Sequence, residues 1–210
     1  MFEFLLNLIF PPKCPICNEH IGKNGELCEN CLKKTLNVRE SPKYSPLIEE
    51  FVVIANYKNG ARSLIRDLKF KNKTSRVKNI DYILQQADKI IPKYPKEITA
   101  VFVPISEKRM AERGFNQVEL MFKEWLKRRK IVYKDILMRA KATEHQYGLS
   151  PAERIANVKD AFKAAEKLDG EDILLLDDIL TTGATALECA KTLKAAGAGR
   201  IYALMFSGDD

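Results

Sequence analysis

Short apolar runs alternate with amphipathic stretches through most of the chain. Residues 51–57, 99–103 and 201–206 are strongly apolar, which predicts strands buried on both faces of a sheet. Between the first two runs, Leu64 and Leu68 mark one apolar face at helical spacing. Because strands and helices alternate, we predict an α/β fold in which a mostly parallel sheet is flanked by helices.

One stretch, ILLLDDILTTGAT at residues 173–185, adds candidate chemistry to this pattern. Residues 173–176 predict another buried strand, and Asp177 and Asp178 follow at its carboxyl end, where ligands bind in open α/β sheets. A small, hydroxyl-rich turn then opens a helix, and its candidate ligand-binding residues are Thr181, Thr182, Gly183 and Thr185. A glycine turn at a helix N-terminus presents free N–H groups to a phosphate, and the threonine hydroxyls add donors.

The acid pair changes what this phosphate site can bind. Two carboxylates beside a phosphate repel it unless they bind another group, such as ribose hydroxyls or Mg²⁺. The combination suits a sugar phosphate with a free 2′,3′-diol. The alternative is a capped strand–helix turn with solvated acids, but the acid pair, the TTG turn and the flanking periodicity together favour the ligand site.

A second anion site is predicted after the strand at residues 99–103. The loop that follows carries Arg109, and Arg113 opens a long helix, so basic side chains and free N–H groups meet at another strand end. This arrangement suits pyrophosphate. Further along, residues 139–150 are polar and contain a glycine, which predicts a mobile loop before a helix that starts at Ser150 with a capping box to Glu153.

Four cysteines near the start of the chain predict a metal site. Two CxxC pairs, CPIC and CENC, place Cys14, Cys17, Cys28 and Cys31 at a spacing typical of a tetrahedral Cys₄ zinc site. So short a segment has almost no core of its own, so the structural Zn²⁺ provides its folding energy. Disulfides are the alternative, but nothing marks the protein as secreted.

The composition of the chain limits the kinds of partner that it can bind. The 210 residues, 46% of them hydrophobic, suffice for one core with a small extra module. The net charge of +7 indicates an anionic partner, either phosphate ligands or nucleic acid. The apolar start of the chain is too short to span a bilayer, so we expect a cytoplasmic protein without membrane insertion. The sequence has no G-x-x-x-x-G-K-[ST] motif, which excludes a P-loop motor.

Basic residues are concentrated at residues 58–78, where Asp67 is the only acid. With Tyr57 and Phe70 nearby, this stretch could follow a phosphodiester backbone and stack a base, and its DNA candidates are Lys69, Lys71 and Lys73. A solvated helix face followed by a basic loop is the alternative.

Taken in order, these landmarks resemble the ComF family of competence-associated proteins. The resemblance covers almost the whole chain and rests on CPIC and CENC, YKNGARSLIRDLKF, VPIS followed by RGFNQ, RAKATEHQYGLSPAERIANVKDAF, and ILLLDDILTTGAT. It implies an N-terminal zinc-ribbon module and linker at residues 1–45 and a type I phosphoribosyltransferase-like domain at residues 46–210. Residues 32–50, which contain Pro42 and Pro46, are by themselves typical of a linker or loose edge.

The resemblance also implies the roles of site residues. Asp177 and Asp178 would hold the ribose hydroxyls of 5-phosphoribosyl 1-pyrophosphate (PRPP), bound with Mg²⁺, and the TTG turn would hold its 5-phosphate. The pyrophosphate would meet Lys69, Arg109 and Arg113. A flexible flap over the site would comprise Arg139, Thr143, Gln146 and Arg154.

Two functions follow from the resemblance. The first is a role in natural transformation, in which incoming single-stranded DNA is handled in the cytosol, with PRPP, DNA and a competence helicase or recombination-mediator protein as partners. The second is an active phosphoribosyltransferase of nucleotide salvage or synthesis, with Mg²⁺ and basic groups stabilising the leaving pyrophosphate. Residues 32–57 contain no evident set of side chains that would read a nucleobase, which favours the first.

Overall fold

A computed structural model of the protein describes residues 10–41, 46–58, 60–140 and 150–209. The elements of these residues follow in the order α1 (Glu29–Thr35), β1 (Leu36–Glu40), β2 (Glu50–Asn56), α2 (Gly60–Lys71), α3 (Arg76–Ala87), β3 (Thr99–Phe102), α4 (Glu107–Arg113), α5 (Gln117–Arg129), β4 (Val132–Tyr133), β5 (Leu137–Arg139), α6 (Pro151–Val158), β6 (Phe162–Ala164), β7 (Ile173–Leu180), α7 (Ala184–Ala195) and β8 (Ile201–Gly208). Within this described part of the chain, no helix is both long and apolar enough to cross a bilayer.

Six strands form the main sheet, in the order β1-β2-β8-β7-β3-β4. All neighbours are parallel except the edge pair β1–β2, and β5 and β6 form a separate antiparallel pair. The central strand β7 is covered on both faces because helices connect the parallel strands. The predicted fold class, an α/β fold with a mostly parallel sheet flanked by helices and a small N-terminal four-cysteine module, is confirmed.

Alternate residues of β7 enter two separate cores. Leu174 and Leu176 pack on one face with α2, α3 and α5, where Trp125 and other large side chains are fully buried. Ile173 and Leu175 pack on the opposite face with α7 and the β5–β6 pair. Because side chains of a strand alternate between faces, Asp178 follows Leu174 and Leu176 toward the first core, and Asp177 follows the other two residues toward the second.

The N-terminal module shares the first core. Cys14, Leu27, Cys28 and Cys31 are buried in the same cluster as α2 and α3 side chains. Residues 32–50, expected as a linker or loose edge, include the end of α1 and the strand β1, which pairs antiparallel with β2. Residues 36–40 are therefore not a linker but the edge strand of the sheet, which agrees with the alternative of an edge.

Gly60 marks a close contact between the module and α2. We expect Gly60→Ala to lower the free energy of unfolding by about 2 kcal/mol. The added methyl group would collide with Thr35 Oγ1 and lie 2.5 Å from Ile16 Cδ1. Urea denaturation measures the change. In the control Gly22→Ala the nearest atom to the new methyl group, on Glu26, is 3.9 Å away, and equal stability of the two variants would contradict tight docking.

Candidate functional site

The two acids of the ILLLDDILTTGAT stretch lie within β7, which continues to Leu180, and not after its end as expected. Parallel pairing with β8 extends over the acids, so Asp177 stands opposite Met205. The strand therefore holds both carboxylates rigidly at the carboxyl edge of the sheet. Opposite faces of the strand give them different surroundings.

Asp178 is buried in a network of polar side chains. Its carboxylate lies 2.7 Å from Lys69 Nζ, which comes from the end of α2, and only 7% of the Asp178 side chain is exposed. The same oxygen accepts a hydrogen bond of 2.8 Å from Gln117 Nε2 at the start of α5. Gln117 in turn accepts one of 2.6 Å from Arg113. Three elements thus place two cations and an amide around one carboxylate.

Asp177 is half-buried on the other face of β7 and accepts a hydrogen bond of 2.8 Å from the backbone N–H of Asp178. Burial, followed by the charge of Asp178, raises the pKa of Asp177, and the positive charges of Lys69 and Arg139 oppose this shift. Asp177 is thus the carboxylate that gains most from a ligand offering hydroxyl donors or a cation.

Three arginines gather near the acids. Burial lowers the pKa of Arg113 and of Arg139, and for both the second cause is the positive charge of Arg109. Arg139 is attracted by Asp177 and Arg113 by Asp178. Mutual repulsion among arginines is relieved when an anion lies between them. The arrangement suits a highly charged anion beside the acid pair.

The turn after β7 has the geometry of a phosphate site. Gly183, with φ of +80°, is the residue before α7, and the left-handed conformation at this point favours glycine. Thr182 Oγ1 accepts a hydrogen bond of 3.3 Å from the N–H of Ala184. A small pocket opens here, lined by Asp177, Ile179, Leu180, Thr181, Gly183, Thr185, Ala186 and Met205. Threonine hydroxyls and the N-terminus of a twelve-residue helix therefore share one pocket with a carboxylate.

The structure brings Lys69, Arg113 and Arg139 near the acid pair and Arg109 near these two arginines, and it corrects two local expectations. Arg113 does not open the long helix, because it is the last residue of α4 and α5 begins at Gln117. Arg109 does not lie on a loop, because α4 begins at Glu107, where the Ser106 side chain accepts a hydrogen bond from the N–H of Arg109. Arg154 lies half-buried on α6, and the predicted capping box of that helix is present. Thr143 and Gln146 lie outside the described residues.

The remaining DNA candidates surround Asp67. Lys71 Nζ lies 2.9 Å and Lys73 Nζ 3.7 Å from its carboxylate, and Arg76 also binds it. The two lysine side chains are about half exposed, at 52% and 47%. Only 8% of the Asp67 side chain is exposed, but the lysine side chains remain accessible, so both lysines can still bind a phosphodiester. Asp67 thus connects the end of α2 with the basic loop and with the start of α3.

The four cysteines converge at the other end of α2. Their sulfur atoms all lie within 4.8 Å of one another, and Cys17 Sγ and Cys28 Sγ are 3.5 Å apart. With Zn–S bonds of about 2.3 Å, sulfurs of a tetrahedral zinc site lie about 3.8 Å apart, so the cluster fits zinc. All the cysteines are free, so no disulfide forms among the described residues. A double zinc ribbon domain matches residues 5–42 of this chain.

Known proteins match this chain over most of its length. The chain is 29% identical over 201 residues to competence protein F of Haemophilus influenzae, and the match covers 90% of this chain and 82% of that protein. The chain is 28% identical over 204 residues to the DNA utilization protein YhgH of Escherichia coli K12, and the match covers 90% of this chain and 80% of that protein. The chain is 29% identical over 199 residues to competence protein ComFC of Streptococcus pneumoniae, and the match covers 88% of this chain and 82% of that protein. The resemblance to the ComF family is confirmed.

Solved structures similar to this ComF-like chain include phosphoribosyltransferases. The adenine enzyme of Thermoanaerobacter pseudethanolicus has a TM-score of 0.40 and 13% identity, covering 81% of this chain and 95% of that one. The hypoxanthine enzyme of Staphylococcus aureus has a TM-score of 0.36 and 16% identity, covering 61% of each. Overlap at this level carries no information about the ligand of this chain.

Gln117 is the main residue of this ComF-like site that was not predicted from the sequence. It is 4% exposed and joins Arg113 to Asp178, so it orients Arg113 through a buried hydrogen bond. A signal was present, since Gln117 opens a helix directly after a strand end and a polar residue there can face the ligand edge.

Proposed function

We propose that this protein acts in natural transformation, where it handles incoming single-stranded DNA in the cytosol and binds PRPP with Mg²⁺ at the carboxyl edge of β7. The observation that carries this proposal is the acid pair beside an anion-binding turn, with cations converging from α2, α4 and β5. The names of the relatives, which refer to competence and to DNA utilization, support the cellular role.

Each part of PRPP has a chemical counterpart at this edge. The 5-phosphate would lie at the turn of Thr181, Thr182, Gly183 and Thr185, where N–H and hydroxyl donors meet. The ribose diol and Mg²⁺ would face Asp177 and Asp178, because carboxylates accept hydroxyl donors and bind hard cations. Pyrophosphate would lie against Lys69, Arg109 and Arg113, and the flap would add Arg139, Thr143, Gln146 and Arg154.

The DNA part of the proposal rests on the loop around Asp67. Lys71 and Lys73 are held by one buried carboxylate, so a phosphodiester that binds them meets an ordered pair of cations. Lys69 lies two residues before Lys71, the last residue of α2, and it binds Asp178, so the DNA candidate surface would lie next to the PRPP site. A competence helicase or recombination-mediator protein would receive the DNA.

Fluorescence anisotropy with a labelled single strand tests the proposal. We expect salt-sensitive binding, and we expect Lys71→Ala with Lys73→Ala to reduce the slope of log K against log salt by about 1.4, or about 0.7 for each lost phosphate contact. Addition of PRPP and Mg²⁺ should change the affinity for DNA, because the two sites share α2.

The control is Lys123→Ala with Lys127→Ala, which removes the same charge from α5, including an ion pair with Glu119 in which Lys123 is about as exposed as Lys71. An equal loss of slope in both double variants would show that net charge alone matters. Absence of DNA binding together with retained PRPP binding would instead support an active phosphoribosyltransferase.

A further inference from the structure

Phe70 is an exposed aromatic side chain at the rim of the site. It is the penultimate residue of α2, and 68% of it is exposed. Scattered exposed hydrophobic residues are common on protein surfaces, so exposure alone assigns no role. The neighbours of Phe70 indicate a role, because the preceding residue, Lys69, places its Nζ 2.7 Å from the carboxylate of Asp178.

The ring of Phe70 is held beside the cations of the anion site. The Arg113 guanidinium lies over the ring, 5.6 Å from its centroid, and it also donates the hydrogen bond of 2.6 Å to Gln117. Gln117 is fixed in turn by Asp178. Contact between a guanidinium and an aromatic face is favourable, and here it orders the ring relative to the acid pair.

The helix that carries Arg113 also exposes a methionine. Met110 precedes Arg113 by three residues on α4, so the two lie on the same side of that helix, and Met110 is 44% exposed. None of the residues of α4 is buried. A ligand held at the acid pair thus has a flat aromatic ring beside Arg113, which suits a planar group, and Met110 lies on the same side of α4 as that arginine.

We propose that Phe70 stacks the nucleobase of a nucleoside 5′-monophosphate whose ribose and phosphate occupy the acid pair and the TTG turn. This rests on the proposed sugar-phosphate site and specifies its ligand class. Aromatic rings and arginine planes both stack on nucleobases, and one stacked base gives about a tenfold gain in affinity. The site would then hold the base at the same edge of the sheet at which it holds the sugar.

Calorimetry with two probes, AMP and ribose 5-phosphate, tests this with Mg²⁺ present and full-length zinc-loaded protein. We expect the wild type to bind AMP about ten times more tightly than ribose 5-phosphate. Phe70→Ala should remove this preference and leave the affinity for ribose 5-phosphate unchanged. Phe70→Tyr should keep it, whereas Phe70→Leu, which retains apolar bulk without a ring, should lose most of it.

The control is Phe10→Ala, which removes an equally exposed ring, 73% accessible, from the N-terminal module and should keep the preference. Equal affinities of the wild type for the two probes would overturn the stacking proposal while leaving the sugar-phosphate site intact. Failure of ribose 5-phosphate itself to bind would overturn both. A Phe70→Ala variant that loses affinity for single-stranded DNA but keeps the preference for AMP would assign the ring to DNA instead.

Discussion

Cys17→Ala is expected to cost the protein its zinc and to lower its unfolding free energy by about 4 kcal/mol, or its melting temperature by about 10 °C. Cys17 is the exposed member of the cluster, so its truncation removes little packing. The loss of stability therefore measures the contribution of the zinc to folding. Because Cys14, Cys28 and Cys31 belong to the same core as α2 and α3, loosening the module should destabilise the whole chain.

Metal analysis and thermal denaturation measure this, with Cys189→Ala as the matched variant. Cys189 is fully buried on α7 in the second core and is not part of the cluster, so its loss should leave one zinc per chain and cost about 1 kcal/mol. A Cys17→Ala protein that lost its zinc but kept its melting temperature would show that the metal contributes nothing to folding, and one that kept its zinc would show that Cys17 is not a required ligand.

The features that could be predicted from the sequence are those that depend on neighbouring residues. A CxxC pair turns two thiolates toward one point whatever surrounds it, so the spacing alone indicated the metal site, and a zinc ribbon domain matches this segment. The run ILLL predicted a strand covered on both faces, and both cores of the protein meet there. The glycine of the TTG turn indicated the helix start, where Gly183 has a positive φ.

Among the elements that were not predicted, two show how weak a local signal can be. The strand β1 is five residues long with a mixed burial pattern, and it exists because β2 offers it an edge to pair with. The helix α4 buries none of its residues, so it has no apolar periodicity to detect. Its start at Ser106 and its end at Gly114, with φ of +77°, follow ordinary capping rules that could have indicated a short helix.

The contacts within the site depend on topology. Gln117 and Asp178 are 61 residues apart in sequence, and they meet because β3 pairs with β7 and α5 follows β3. Lys69 reaches the same carboxylate from α2. The family resemblance assigned Lys69, Asp177 and Asp178 to a ligand but did not predict the ion pair between Lys69 and Asp178. A family motif indicates which residues bind a ligand, and it does not describe the contacts among those residues in the absence of the ligand.

These bonds lead to different expectations for the two acids. Asp178→Ala leaves Lys69, whose side chain is 16% exposed, without its partner, so we expect a loss of about 3 kcal/mol in stability as well as weaker PRPP binding. Asp177→Asn should weaken PRPP binding about tenfold or more without destabilising the fold. Its carboxylate has a raised pKa because of burial and the neighbouring charge, so ionised Asp177 disfavours folding.

The sign of this effect gives a second measurement for Asp177. A carboxyl whose pKa is raised in the folded state binds more protons there than in the unfolded chain, so its contribution to stability falls as pH rises from about 4 to about 7. The stability of the wild type relative to Asp177→Asn should therefore decrease over this range in urea denaturation. An unchanged difference would mean that Asp177 is solvated.

Calorimetry with PRPP and Mg²⁺ completes the test, with Asp172→Asn as the control. Asp172 pairs with Arg200 at the opposite end of β7, so its substitution should leave PRPP affinity unchanged. If Asp177→Asn bound PRPP as tightly as the wild type, the ribose diol would have to lie elsewhere. Asp178→Ala alone would then be uninformative about ligand contact, because it also frees Lys69 and Gln117, and with them the cation that Gln117 orients.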